Sequence, residues 1–315
     1  MEENEMEKSN PVIGLDNFVY AKLLTDAIGT TPPTYGPVKR IPGAVQATVN
    51  PNSTVDTDYG DNGAIFVTNN RGNTEMSLEF TNIDNDTLAE LLGQEKKNGV
   101  VIEKPLDQSL YFAVGFRVWV GGTDSNGNKI YEYFWFAKGK FSVPESGATT
   151  KKESMEFQHK SLTAQFVSTL YSEDGMGNGV YNTHCRTDDT AVPAARLANW
   201  FNAPVVAVTG NLSNFSVTAS LDDGNIVLTG AKTDSSDFTF NGFSVIIGTT
   251  ILIFDSLGAT VSGTAVVSAI DDEPTITITP DKALSSGDYT VVVTDGLLDT
   301  NGVKCTPYSG SVTVS

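Results

Sequence analysis

Residues 110–143 read LYFAVGFRVWVGGTDSNGNKIYEYFWFAKGKFSV. Leu110 to Val120 and Lys129 to Val143 are two long alternating runs, the two-residue period of strands with one buried face. Gly121 to Asn128 joins them with the Gly, Asp and Asn residues typical of a hairpin turn. A long aromatic hairpin therefore predicts a mainly β fold built on antiparallel sheet, and the flanking segments extend it. Phe18 to Leu24 and Ala44 to Asn50 read as short strands separated by a turn-rich segment with Pro32, Pro33, Gly36, Pro37, Pro42 and Gly43. Thr74 to Thr81 alternates strictly: Met76, Leu78 and Phe80 face one way, and Glu75, Ser77 and Glu79 the other. Asp84 to Gln94 has helix signals at both ends, with Asp84, Asn85 and Asp86 at the start, Leu88, Leu91 and Leu92 at helical spacing, and Gly93 near the end. Glu153 to Ser168 supplies a further strand, and Ala194 to Phe201 a short closing helix.

Between the early strands, Pro51 to Asn73 is polar, carrying Asp56, Asp58, Asp61, Asn62, Asn69, Asn70 and Gly72 around the small apolar patch Ala64 to Val67. Connections of this length are uncommon in compact domains and are usually functional arms or disordered segments. The same composition suits a loose hairpin with no task.

Past Pro204 Lys and Arg nearly vanish, and Val, Thr, Ser and Gly dominate. Short alternating runs recur at Asn214 to Ala219, Asn225 to Thr229, Phe243 to Phe254, Ala265 to Ala269, Pro274 to Thr279 and Tyr289 to Thr294. Such spacing over about 110 residues predicts an immunoglobulin-like sandwich. The boundary falls near Asn202 to Val208, giving an acidic tail at 1–11, a first domain at 12–203 and a second at 204–315.

The chain of 315 residues is long enough for two cores. It has no apolar run long enough for a membrane helix. Its start carries Glu2, Glu3, Glu5 and Glu7, so export by a standard signal peptide is not expected. Cys185 and Cys305 fall in different predicted domains, and no disulfide framework is expected. The net charge of −18 is shared evenly: 17 basic and 26 acidic residues in 1–200, 3 and 12 in 201–315. That balance argues against wrapping nucleic acid and suits a surface along which DNA slides without sticking.

Catalytic chemistry is hard to assemble. Of the two histidines, His159 sits in a strand run; His184 adjoins Cys185, yet adjacent residues rarely face one another. There is no GxSxG, Walker A loop, GxGxxG or CxxC. Asp124, Asn126, Gly127 and Asn128 imitate the start of a calcium loop, but Trp135 stands where its closing Glu belongs. Asp271, Asp272 and Glu273 form an acidic turn in the second domain, the candidate edge for a cation there, with solvated acids the ordinary alternative. No enzyme, cofactor or metal is expected.

In order along the chain stand Gly14-Leu15-Asp16-Asn17, Pro42-Gly43-Ala44-Val45, Val49-Asn50-Pro51, the helix Leu88 to Gly93, Val114-Gly115-Phe116-Arg117, Tyr133 to Pro144, Glu156-Phe157-Gln158 and Asn199-Trp200-Phe201. Their order and spacing over residues 12 to 203 resemble the major tail protein family of long-tailed phages of Gram-positive bacteria. The resemblance implies a tail-tube fold, packed antiparallel β-sheets forming a barrel with one flanking helix. It also implies hexameric rings stacked into a tube that conducts DNA into the host, alongside tape-measure, tail-tip and tail-terminator proteins. Assembly would take place in host cytoplasm and the product would be a virion tail. Pro51 to Asn73 then matches the family's extended loop reaching a neighbouring subunit, with Pro51, Asp56, Asp58, Tyr59, Asp61, Phe66, Asn70 and Arg71 as its contact residues. Glu75, Ser77 and Glu79 become the candidate channel lining, with a plain solvent face as the alternative. The second domain, through Asn225 to Leu228, Ile276 to Pro280, Ala283 to Gly287, Tyr289 to Thr294 and Leu298 to Gly302, resembles bacterial Ig-like domains of surface and S-layer proteins. Such modules decorate tail exteriors and, by analogy, touch host-surface carbohydrate weakly. The competing reading is a secreted Ig-like adhesin or carbohydrate-binding module.

Overall fold

The computed structural model describes residues 11–124, 126–145, 147, 150, 158–173, 175–207, 214–232, 238–270 and 273–315. Antiparallel β-sheet dominates it, and the chain forms two compact units: 1–192 with 204–207, and 193–203 with 208–315.

The first unit contains β1 (Val12–Thr25), β2 (Thr34–Tyr35), β3 (Lys39–Arg40), β4 (Ala44–Asn50), β5 (Ser53–Gly60), β6 (Gly63–Arg71), β7 (Thr74–Phe80), helix α1 (Asn85–Leu92), β8 (Glu95–Lys97), β9 (Val100–Ile102), β10 (Phe112–Thr123), β11 (Lys129–Phe141), β12 (Lys160–Phe166) and β13 (Asn182–Arg186). Nine of these strands form one sheet along the path β2-β1-β10-β11-β12-β7-β4, with β3 on β1 and β13 on β11. The hairpin at its centre pairs β10 with β11 from Phe112↔Gly139 to Thr123↔Lys129. Its turn is closed by the Asp124 carboxylate, which accepts hydrogen bonds from the backbone N–H groups of Asn126 and Asn128. The Asn128 side-chain amide, which donates to the other carboxylate oxygen, together with those backbone bonds holds the carboxyl below its ordinary pKa range. The residues that imitate a calcium loop therefore brace a turn.

The sheet curls over a single aromatic core of Phe18, Tyr20, Phe80, Phe112, Phe116, Phe136 and Phe166 with aliphatic partners. In β1, Asn17 adopts φ 53°, and the pairing to β10 shifts register between Asp16 and Val19, an irregularity that bends a long strand. Helix α1 begins where Asp84 accepts from the Thr87 N–H at 2.8 Å and ends at Gly93 in the left-handed region, as its sequence signals require. The Tyr20 hydroxyl donates to Glu90 of this helix at 2.8 Å, which pins α1 to the sheet. Residues 204–207 return to this unit, where Val205 and Val206 are buried and Val205 accepts a hydrogen bond from the Thr183 hydroxyl.

The second unit starts with helix α2 (Ala194–Asn199), which was expected to close the first domain and is instead grouped with the second. Asn202 there donates to the Gly302 carbonyl. Strands β14 (Phe215–Asp222), β15 (Asn225–Lys232), β17 (Gly263–Ile270) and β18 (Glu273–Pro280) form one sheet in the order β14-β15-β18-β17. Strands β16 (Ile251–Phe254), β19 (Gly287–Val293) and β20 (Tyr308–Val314) form the other, in the order β16-β19-β20. Side chains of both sheets fill one core, including Phe215, Ile226, Leu228 and Ile276 from the first and Ile251, Val291 and Val312 from the second. Phe243 to Phe254 is not one strand: Gly242–Ser244 makes a 3-10 turn, and the Ile246 carbonyl accepts from Thr249, Thr250 and Ile251, so only Ile251–Phe254 is extended. Gly248 at φ 86° makes that turn possible and interrupts the apolar run.

Candidate functional site

Two surfaces of the first unit differ from ordinary solvated sheet. The first is the segment expected to be an arm. It is a two-stranded ribbon, β5 paired to β6 from Ser53↔Arg71 to Gly60↔Gly63, and it forms its own sheet. Eight to nine residues per strand give it a reach of roughly 26 Å. Its tip is Asp61-Asn62, both with positive φ, the turn geometry that follows the natural twist of a hairpin. Its root is fixed: Asn52 donates to the Asn73 carbonyl, the Gly72 N–H donates to the Asn52 carbonyl, and Pro51 precedes the ribbon at an exposed position. Arg71 lies 4.5 Å above the Tyr181 ring, an anchor on the segment leading into β13.

The ribbon's exposed residues are not all polar. Val55, Tyr59, Ile65, Phe66 and Val67 are each between 59% and 73% exposed. Alternation and register place Val55, Thr57, Tyr59 and Val67 on one face. Asp56 and Asp58 share the other with Phe66 and Asn70, and Asn70 donates to Asp56 at 2.9 Å. Ile65 is the unpaired residue where the register shifts beside Tyr59. A lone two-stranded ribbon is marginal in water even without exposed apolar side chains. This one therefore presents both a hydrogen-bonding edge and an apolar face to a partner.

The second surface is the outward face of β4, β7 and β12. Thr74, Met76, Leu78 and Phe80 are buried, and Glu75, Ser77 and Glu79 between them point away from the core. Their cross-strand neighbours are Asn50, Thr48 and Gln46 on β4 and Gln165, Thr163 and Ser161 on β12. These nine side chains are hydroxyls, amides and two carboxylates, with no Lys or Arg among them. At one end His159 Nδ1 meets Glu79 Oε1 at 2.7 Å. The sequence exposed the β7 residues by alternation; the matching polar residues of β4 and β12 emerge only from the pairing. Strand β4 ends the sheet path, with Val45 and Val49 exposed along it.

The other candidates lie apart. Glu273 is exposed at the start of β18, opposite Ile270, while Asp271 and Asp272 lie outside the described residues. His184 and Cys185 occupy successive positions of β13, opposite Phe134 and Tyr133, so their side chains leave the strand on opposite faces. His184 Nδ1 lies 3.0 Å from Glu132 and its ring stacks on Phe134. Among the described residues no three His, Cys, Asp or Glu side chains gather as a metal site, and no helix is long and apolar enough to cross a membrane. No family model and no curated protein matches this chain.

Proposed function

We propose that the chain is a structural subunit of a phage tail tube, polymerising as stacked hexameric rings through which DNA passes, with a structural rather than catalytic role. The observation that carries this reading is the β5-β6 ribbon, whose edge and apolar face lack a partner within the described part of its own chain. In a closed ring a neighbouring subunit supplies that partner, and each ribbon orders on assembly. A heterologous contact repeated around a ring also covers the free edge of β4, which would otherwise template open-ended strand addition.

The polar face of β4, β7 and β12 supports a channel wall. Hydroxyls and amides keep it wetted, and Glu75 and Glu79 repel phosphates, while the absence of cations among its nine residues removes the counterion exchange that drives DNA adhesion. The second unit is read as an Ig-like decoration on the tube exterior, its many copies offering avidity for weak carbohydrate ligands of a host surface.

Negative-stain microscopy of the purified full-length protein at high concentration tests the reading. Sixfold rings or hollow tubes with outer knobs are the expected result. Monomers that persist when a nucleating tail tip is added would overturn it.

A further inference from the structure

Among the described residues most ion pairs are partly exposed to water, and one is fully enclosed. Lys232, the last residue of β15, places its ammonium 2.9 Å from Oδ2 of Asp299, and both side chains are 0% exposed. The next most enclosed pair among the described residues, Lys138 with Asp26, leaves its side chains 12% and 5% accessible. The Lys232 Nζ lies 5.4 Å from the Phe238 ring, which packs on Phe215 and Phe240. Burying two full charges in such a place carries a desolvation cost that their attraction offsets only with good geometry, and conversion to a neutral product removes that cost.

The carboxyl group is held asymmetrically. Oδ1 accepts two backbone hydrogen bonds, from the N–H groups of Asn301 and Val303, each at 2.8 Å, while Oδ2 faces the amine. Two fixed donors on one oxygen, with a nucleophile beside the other, is the arrangement that stabilises a tetrahedral oxyanion in acyl transfer. We propose that Lys232 Nζ condenses with Asp299 Cγ to form an intramolecular amide bond, so that the second unit matures into a covalently cross-linked sandwich.

The step balances without a co-reactant. The ammonium first passes a proton to Oδ2, giving an amine and a carboxylic acid. Burial, the largest influence on Asp299, raises its pKa and favours that neutral form. The amine lone pair attacks Cγ, the N–C bond forms, and the developing charge sits on Oδ1 between the two N–H donors. A second proton moves from Nζ to the Oδ2 hydroxyl, the C–Oδ2 bond breaks, and one water departs. One ammonium and one carboxylate become one amide and one water. The fixed contact supplies the effective concentration that a free amine and acid lack, and exclusion of solvent disfavours the reverse hydrolysis. The bond would join β15 of one sheet to the loop after β19 of the other, across 67 residues of sequence.

The test is the intact mass of the full-length protein under denaturing conditions, followed by proteolysis and fragment sequencing. The expected mass is the sequence mass less one water, with a branched peptide joining the segments that contain Lys232 and Asp299. Asp-Gly steps such as Asp223-Gly224 and Asp295-Gly296 can also lose water as cyclic imides, which mild alkali hydrolyses and a side-chain amide survives. A full sequence mass, a deficit reversed by mild alkali, or a deficit mapped away from Lys232 would each overturn the proposal. Lys232→Arg retains the cation and removes the nucleophile, and its expected mass carries no deficit. The decisive reading comes from the native sequence, so it stands whether or not this variant folds.

Discussion

The rings of Phe18 on β1 and Phe80 on β7 meet edge to face at 5.0 Å, although β10, β11 and β12 separate the two strands in the sheet. Two strands four places apart in a flat sheet would be roughly 19 Å distant. Their contact is therefore the signature of curling, and the core exists because the sheet closes over it. Phe80 is fully buried, so Phe80→Ala removes a ring from the closure point and leaves a cavity lined by other aromatics. The expected loss is about 3–5 kcal/mol, read as a lower urea midpoint with β content kept in the remaining fold. A loss under about 1 kcal/mol would mean the core closes elsewhere.

Helix α1 offers a smaller and pH-dependent test. Asp84 accepts from both the backbone N–H and the hydroxyl of Thr87, and those bonds hold its carboxyl below the ordinary range. A carboxylate whose pKa is depressed on folding contributes stability that is fully present above the unfolded value, about 3.9, and lost as pH falls through the folded value. Asp84→Ala is expected to cost about 1 kcal/mol at pH 7 and to converge on the native protein in acid. Urea titrations at the two pH values check it, and an equal difference at both would remove the charged cap from the explanation.

How much of this could be read from residues alone follows from the range of the forces involved. Alternation in Thr74 to Phe80 and the caps at Asp84 and Gly93 are local, and the observed β7 and α1 match them closely. Gly248, Thr249 and Thr250 visibly break the run Phe243 to Phe254, but the bonded turn that leaves only Ile251–Phe254 extended, and the short strand β13, were not legible, because a hydrophobic run does not disclose where a turn is bonded. The hairpin of β8 and β9 was missed despite Asn98-Gly99, whose positive φ values make a signal visible in sequence. Pro51 to Asn73 was read either as an arm or as a loose hairpin, and its strand bounds and register were not legible, because a polar ribbon without a buried face lacks the period that marks a strand. The Lys232 and Asp299 pairing was invisible, since nothing local links residues 67 apart.

The ribbon should be separable from the fold. Deleting Asn52 to Asn70 removes residues whose side chains are almost all exposed, so the first unit is expected to keep its core and lose polymerisation. A finer change, Tyr59→Ser with Phe66→Ser, leaves the backbone edge intact and removes the two largest exposed rings. It is expected to weaken assembly without shifting the urea midpoint, because neither ring is buried in the subunit. Sedimentation of assembled material against monomer measures both. Normal tubes from the deletion, seen in negative stain, would end the arm hypothesis.

If the face of β7 lines a channel, reversing its charge should make DNA stick. Glu75→Lys with Glu79→Lys replaces two repulsive groups by two phosphate partners in every subunit, although it also removes the His159 contact to Glu79. Tubes of the variant are expected to retain labelled DNA at about 50 mM salt and release it by about 200 mM, the steep dependence of counterion release, while native tubes retain none. Fluorescence anisotropy across the salt series gives the slope. Assembled variant tubes that leave DNA free at low salt would move these residues to an outer surface.

The return of residues 204–207 to the first unit determines where the second can be removed. A cut before Val205, at the boundary read from composition, takes away Val205 and Val206, which are each only 5% exposed, together with the carbonyl that receives the Thr183 hydroxyl. A cut after Ala207 keeps all three. Burying one valine side chain is worth about 1.5–3 kcal/mol, so the shorter fragment should unfold at a clearly lower urea concentration than the longer one. The longer fragment is the one expected to form tubes, and thinner ones, because the decoration is gone. Equal midpoints for the two fragments would show that the strap contributes no stability, and loss of tubes from the stable longer fragment would make the second unit part of the wall.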